Sequence, residues 1–175
     1  MVRMKAFVAP RLGRMLGDKM LTRTIHLLHV EDDEFQRLVV SRYLRSLEEF
    51  TFAVSWADSE ETAMGAFQAG GVDCVILDHH LTSGNGLNCL RRMRALDPIV
   101  PIVALSAAAS TELAAELVRS GADDYINKQE LTRKKFTQTV RSALLRAEAC
   151  RLPAVASLDK PADHPGRPCE LEQYG

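Results

Sequence analysis

The chain has 175 residues, enough for one domain with tails or for two very small domains. An apolar fraction of 46% excludes wholesale disorder, and a net charge of −1 gives no general attraction to nucleic acid or to a membrane surface. No apolar stretch approaches the roughly 20 residues of a membrane span.

The two ends of the chain differ from its middle. Residues 1–23 carry six basic residues against one acid, and their apolar block at Ala6–Ala9 is too short for a secretory signal. We expect a basic, mobile leader there, with a targeting arm as the alternative. Four prolines interrupt residues 151–175, for which we expect a disordered tail. A folded domain is therefore expected over residues 24–150.

The four cysteines form no C-x-x-C pair, so we do not expect zinc. Cys74 lies inside an apolar run and is interpreted as core filler. We expect a reducing compartment and a cytoplasmic location.

Apolar runs and amphipathic segments alternate five times through the middle. The predicted strands are Ile25–Val30, Phe52–Trp56, Val72–Leu77, Ile102–Leu105 and Asp124–Asn127. The predicted helices run from Glu34 to Leu47, from a cap at Asp58 or Ser59 to Gln68, from Leu87 to Leu96, from a cap at Ser110 or Thr111 to Gly121, and from Leu131 to about Arg151. Five such repeats predict an α/β fold with an open, doubly wound parallel sheet.

Polar groups follow four of these strands. They are the acids after Val30 (Glu31, Asp32 and Asp33), then Asp78, Ser106 and Lys128. Because open α/β sheets bind ligands at the carboxyl ends of their strands, we expect these groups to converge on one site. Glu31, Asp32 and Asp78 would repel one another by about 4 kcal/mol per pair at 4 Å with an effective dielectric near 20. Oxygen ligands at a wet rim favour Mg²⁺ as the offsetting charge.

Asp78 ends a strand and opens a glycine-containing loop. An exposed carboxylate there can act as a nucleophile and form an aspartyl phosphate. Lys128 would supply a positive charge to the phosphoryl group and Ser106 a hydroxyl donor. Each residue alone has an ordinary interpretation, as a helix cap or a solvated surface group, but all of them at strand ends in this order favour one phosphoryl site.

Four segments resemble the receiver domains of two-component response regulators. They are Leu27–Asp33, Leu77–Leu81, Ala104–Ala107 and Gly121–Lys128, and the resemblance covers about residues 24–148. It implies a flavodoxin-like sheet with strand order 2-1-3-4-5. It also implies a phosphoacceptor that is switched by a histidine kinase or a histidine phosphotransfer protein and then acts on a further, unknown protein. Whether phosphorylation drives homodimerisation is left open.

The resemblance assigns roles residue by residue. Asp78 would accept the phosphoryl group, and Glu31 and Asp32 would belong to the acidic pocket. Asp32, Asp78 and the backbone carbonyl of His80 would hold Mg²⁺, with Glu31 as a further ligand through water. Ser106 and Lys128 would contact the phosphoryl group, and Tyr125 would be the switching aromatic. Side-chain metal binding by both His79 and His80 is not expected, because neighbouring strand-end residues point in opposite directions.

Two positions depart from the family pattern. Thr82 stands four residues after the acceptor, and Gln129 follows the lysine, where the family usually has proline, in the second case after a cis peptide bond. Since a non-proline cis bond costs about 3–4 kcal/mol, we predict that the Lys128–Gln129 bond is trans and that the loop into the fifth helix differs in shape.

Two other classes of protein are alternatives. A small phosphatase-type hydrolase with an aspartyl nucleophile would commonly carry a second acid two residues after it, where this chain has His80. A flavin or nucleotide carrier would need a glycine-rich loop after the first strand, where this chain is acidic.

Overall fold

The computed structural model describes residues 24–108 and 110–151, so the predictions for the leader and for nearly all of the tail lie outside the described residues. The strands are β1 (Thr24–Val30), β2 (Thr51–Ala57), β3 (Cys74–Asp78), β4 (Ile102–Ser106) and β5 (Asp124–Asn127). The α-helices are α1 (Glu34–Leu44), α2 (Glu60–Gln68), α3 (Gly86–Leu96), α4 (Thr111–Arg119) and α5 (Arg133–Arg151), and a short 3-10 helix spans Lys128–Glu130.

All five strands are parallel and lie in the order β2-β1-β3-β4-β5. The predicted fold class and strand order are confirmed. The order reverses at β1, which pairs with both β2 and β3, and this reversal opens a crevice at the carboxyl ends of β1 and β3.

Two apolar clusters cover the two faces of the sheet. Every residue of β3 and β4 is buried, since both strands are covered on both sides. Leu28, Val75 and Leu77 pack with α2 and α3 on one face, whereas Leu27, Ile76 and Phe136 pack with α1 and α5 on the other. Cys74 is fully buried, as expected, and so is Cys89.

Several predicted boundaries are wrong by one or more residues. Helix α1 ends at Leu44 and not at Leu47, because the N–H groups of Ser46 and Leu47 bond three residues back and close a tighter turn. Helix α5 begins at Arg133 and not at Leu131, because the Thr132 hydroxyl accepts from the N–H of Lys135 and caps the helix there.

Other helix ends follow the predicted signals. The side chains of Ser59 and Ser110 cap α2 and α4, and Gly70 and Gly71, both with positive φ, follow α2. Arg151, assigned to the tail, is the last residue of α5. No helix in the described part of the chain is long and apolar enough to cross a membrane.

Candidate functional site

The acids after β1 have different environments. The N–H of Glu31 donates to the carbonyl of Ala57 at 2.9 Å, so Glu31 extends the β1–β2 edge and is fully buried. Asp32 is partly exposed, and Asp33 is the N-cap of α1, where its side chain accepts from the N–H of Gln36 at 3.0 Å. The capping interpretation is therefore correct for Asp33 alone, and the other two acids are free for other roles.

Asp78 is the last residue of β3 and is only 3% exposed. Its Oδ1 accepts from the N–H of His80 at 3.0 Å, which fixes the carboxylate against the loop that follows. Gly86 starts α3 directly against this strand end. A Cβ at Gly86 would lie 2.7 Å from the His79 carbonyl oxygen, so only glycine lets α3 begin this close to the end of β3.

The structure brings the three predicted pocket acids together. Glu31, Asp32 and Asp78 each offer a carboxylate oxygen, and these oxygens lie within 4.8 Å of one another. Lys128, just past β5, reaches into the cluster and donates to Glu31 Oε2 at 2.7 Å and to Asp78 Oδ2 at 2.8 Å. The predicted convergence of these four residues is present in the structure.

The pKa values show how crowded the cluster is. Burial and the nearby Asp78 carboxylate raise the pKa of Glu31 to about 7, although Lys128 opposes the shift. Burial disfavours the ammonium of Lys128, but its hydrogen bonds to Asp78 and Glu31 outweigh burial and hold its pKa above the ordinary value. Lys128 is therefore charged near neutral pH. Its single positive charge does not balance three ionised carboxylates.

Asp32 has a different partner. Its Oδ2 accepts from the N–H of Thr82 at 2.8 Å and also from the Thr82 hydroxyl. The hydroxyl is the main cause that lowers the pKa of Asp32 below its ordinary value. Thr82, one of the two departures from the family pattern, thus contacts a predicted metal ligand directly.

Ser106 and Tyr125 form a separate chain of hydrogen bonds. The buried Ser106 hydroxyl accepts from the N–H of Ala108 at 3.2 Å, and the Tyr125 hydroxyl donates to the Ala108 carbonyl at 2.9 Å. Within the described residues, no hydrogen bond joins either side chain to the three carboxylates. Ser106 lies at the same edge of the sheet, at the end of the strand next to Asp78. The loop after Ser106 therefore connects the carboxyl edge of the sheet, where the three acids lie, to Tyr125.

Neither of the histidines that follow Asp78 belongs to the carboxylate cluster. The metal-competent group in the described residues comprises the three acids alone. His80 is exposed, and burial lowers the pKa of His79. That these two side chains do not share an ion stays a prediction.

The donor set fits a small divalent cation. Three carboxylates face one ammonium, which leaves two negative charges when all are ionised. Oxygen ligands at a partly wet rim are those that Mg²⁺ accepts, since it keeps several waters and uses only one or two protein carboxylates.

Sequence reasoning missed two residues at or near the site. The sequence marks Thr82 only as a departure from the family pattern, because no local signal points to its contact with Asp32, 50 positions away. The sequence places His29 inside the first predicted strand with no sign of a special role, yet both its ring nitrogens are buried without a hydrogen-bond partner among the described residues. Burial, followed by the charges of Lys128 and Arg37, lowers the pKa of His29 to about 3, so it is neutral.

Comparison with known proteins identifies the class. The chain matches the response regulator receiver domain family over residues 27–141, more than half of its length, and belongs to that family. Membership places it in two-component signalling as a phosphoacceptor domain and implies a histidine kinase or a phosphotransfer protein as its donor.

Individual relatives agree with this assignment. The transcriptional regulatory protein ZraR of Salmonella typhimurium is 28% identical over 140 residues, which are 79% of this chain and 31% of ZraR. The chain thus spans about a third of that curated relative.

Two solved structures are similar. A putative response regulator from Chloroflexus aurantiacus has a TM-score of 0.64 at 25% identity, covering 71% of this chain and 100% of that one. The receiver domain of the sensor histidine kinase PA1611 from Pseudomonas aeruginosa has a TM-score of 0.61 at 24% identity, covering 70% and 98%, and shares the fold. That structure holds a magnesium ion in its active site cleft.

Proposed function

We propose that Asp78 is the phosphoacceptor of this receiver domain. The observation that carries the proposal is a buried carboxylate at a strand end, 2.8 Å from the Lys128 ammonium and within 4.8 Å of carboxylate oxygens from Glu31 and Asp32. An Asp78 oxygen forms a bond to phosphorus while the bond from phosphorus to the donor's histidine nitrogen breaks, and the nitrogen regains a proton. The product is an acyl phosphate.

Lys128 stabilises the added charge. Its ammonium already bonds to an oxygen of Asp78, so it can turn to a phosphoryl oxygen without leaving the pocket. Ser106 offers a hydroxyl from the neighbouring strand, at the cost of its present bond to Ala108. Phosphorylation places about two negative charges where one carboxylate stood, and these two residues are the proposed partners for that charge.

Mg²⁺ is the proposed cofactor. Asp32, Asp78 and the backbone carbonyl of His80 would hold the ion, with Glu31 as a further ligand through water. When bound, the ion would neutralise charge on the phosphoryl oxygens. When all three acids are ionised, they carry two negative charges in excess of Lys128, which supports this assignment.

The Ser106–Ala108–Tyr125 chain is the proposed route to a changed surface. If the Ser106 hydroxyl turns to the phosphoryl group, it gives up the Ala108 N–H, and the Ala108 carbonyl that holds Tyr125 shifts with it. Tyr125 would then change its position beside α4 and α5. We describe this as a shift between two existing states that an unknown downstream protein distinguishes.

The donor protein is proposed to dock over the start of α1, in the cytoplasm. Phe35 and Leu38 on that helix are 68% and 64% exposed, and Phe35 lies two residues after the capping Asp33, at the edge of the site. Residues three apart on a helix lie side by side, so these two side chains share one exposed apolar face of α1, which supports a protein contact surface there.

Labelling with radioactive acetyl phosphate in Mg²⁺ tests the acceptor. Asp78→Asn removes the nucleophilic oxygen and is expected to abolish incorporation, while Asp58→Asn, which changes an exposed carboxylate at the same edge of the sheet, is expected to leave it intact. Persistent labelling of Asp78→Asn would refute the assignment. Many turnovers of an aryl phosphate ester by the native chain would instead support the phosphatase-type alternative.

A further inference from the structure

The loop between β3 and α3, residues 79–85, does more than connect two elements. Thr82 donates twice to one oxygen of Asp32, from its N–H at 2.8 Å and from its hydroxyl. These two residues are 50 positions apart in sequence, so the contact ties this loop to the turn after β1.

The loop is fixed by its other contacts. Leu81 is buried, and the Ser83 carbonyl accepts from the N–H of Glu60 at 3.2 Å. The Glu60 carboxylate in turn accepts from the N–H of Asn85 at 3.1 Å. A Cβ at Gly84 would lie 2.6 Å from the Glu60 Cβ, so the loop packs closely against the start of α2. Because these contacts fix the loop on both sides of Thr82, the two Thr82 donors are held in place.

Both Thr82 donors meet the same oxygen, Oδ2, which leaves Oδ1 of Asp32 as the oxygen with lone pairs for an ion. A carboxylate that binds a metal with one oxygen is commonly held through its other oxygen, and loss of such an outer contact typically weakens metal binding by 10–100-fold. Proline at this position would have neither donor.

We propose that Thr82 is a positioning residue for the divalent cation: its N–H and hydroxyl hold Asp32 so that Oδ1 faces the ion. This inference rests on the proposed Mg²⁺ site. It assigns to Thr82 a part of the metal affinity that the acids alone would not supply.

Mg²⁺ titration calorimetry of the full chain tests the proposal. Thr82→Val keeps the N–H and removes the hydroxyl, and is expected to raise the Kd for Mg²⁺ about 10-fold. Thr82→Pro removes both donors and is expected to raise it further. Thr82→Ser restores the hydroxyl and is expected to return the Kd close to the native value.

The controls separate positioning from folding and from the proposed function. Ser83→Ala removes a neighbouring exposed hydroxyl and is expected to change neither the Kd nor the thermal midpoint without metal. A native Kd for Thr82→Val, or a tighter one, overturns the inference. If Asp32→Asn also leaves the Kd unchanged, the Mg²⁺ site itself fails. If Asp32→Asn weakens binding and Thr82→Val does not, only the role of Thr82 fails.

Discussion

Two loops contact the three carboxylates of the site, and they do so with different kinds of donor. The β3–α3 loop holds Asp32 with two uncharged donors of Thr82. The connection after β5, residues 128–132, holds Glu31 and Asp78 with the charge of Lys128. Each loop contains one of the two departures from the family pattern noted in the sequence analysis, Thr82 or Gln129, and each of these residues has a backbone N–H. The N–H of Thr82 reaches across the site, whereas that of Gln129 bonds locally to the side chain of Asn127 at 2.9 Å.

This difference separates orientation from charge balance. The two donors of Thr82 carry no charge, so they orient the Asp32 carboxylate without neutralising it. The full negative charge of Asp32 is then left for a cation. Lys128 occupies one oxygen of Glu31 and one of Asp78, so an ion that binds there must share those acids with an ammonium. We expect the first loop to control the geometry of the ion and the second loop to control the charge that it meets.

The largest expected effect comes from disturbing the close packing between the start of α3 and the β3–α3 loop. Gly86→Ala would place a Cβ 2.7 Å from both the Cα and the carbonyl oxygen of His79, which are backbone atoms that cannot rotate away. We expect a loss of about 3 kcal/mol in the free energy of unfolding, at the upper end of the overpacking range, and weaker Mg²⁺ binding. Urea unfolding and calorimetry measure the two effects.

Gly65→Ala is the matched control for that change. Gly65 lies inside α2, and nothing stands within 4 Å of the Cβ that alanine would add. The same chemical change is there expected to stabilise the protein by about 0.5–1 kcal/mol, because alanine favours a helix over glycine. Equal stabilities for both variants would mean that the start of α3 does not pack tightly against the end of β3.

The second largest expected effect is the pH dependence that Glu31 gives to the stability of the fold and to Mg²⁺ binding. The pKa of Glu31 is raised to about 7 from an ordinary value of 4.5, so the folded carboxyl keeps a proton that the unfolded chain has lost. Its contribution to stability is full below about pH 4.5 and is lost as the pH rises through about 7. A cation favours the ionised form, so the Kd for Mg²⁺ is expected to rise as the pH falls below 7, by at most about tenfold per pH unit.

Calorimetry in two buffers of different ionisation enthalpy measures this proton release. Glu31→Gln cannot titrate and is expected to flatten the dependence between pH 5.5 and pH 8. A native Kd that stays constant over this range would show that Glu31 and the ion are not coupled.

Much of the fold and of the site followed from the sequence, for physical reasons. Strands such as Val75–Leu77 are recognisable because buried parallel strands are apolar throughout. Topology then places their last residues at one edge, so the meeting of Asp78 with Lys128 follows from strand order without knowledge of any side-chain contact.

The rest depends on contacts that leave no local pattern. Nothing around Thr82 announces a partner 50 residues earlier, because the contact exists only once two loops have packed. His29 looks like any strand residue, and only the folded structure shows that its two ring nitrogens are buried with no hydrogen-bond partner in the part of the chain that the structure describes. The end of α1 was missed because Leu47 continues the helical spacing of apolar residues, although the chain has already turned.

The smallest expected effect distinguishes the two loops most directly. The Asn127 side chain caps the short 3-10 helix by accepting a hydrogen bond from the Gln129 N–H. The Lys128–Gln129 peptide bond is trans, as predicted. Asn127→Ala leaves that N–H without its partner and is expected to lower the free energy of unfolding by about 1 kcal/mol. The Kd for Mg²⁺ is expected to stay at the native value, since Asn127 orients none of the three acids.

Thr82→Val is expected to show the opposite pattern, with a changed Kd and little change in stability, because its hydroxyl lies at an exposed surface. Asn127→Ser keeps an oxygen that can accept from the Gln129 N–H and should retain most of the native stability. If Asn127→Ala raised the Kd as much as Thr82→Val, the β5 connection would also set the geometry of the ion. Lys128 would then position the acids as well as balance their charge.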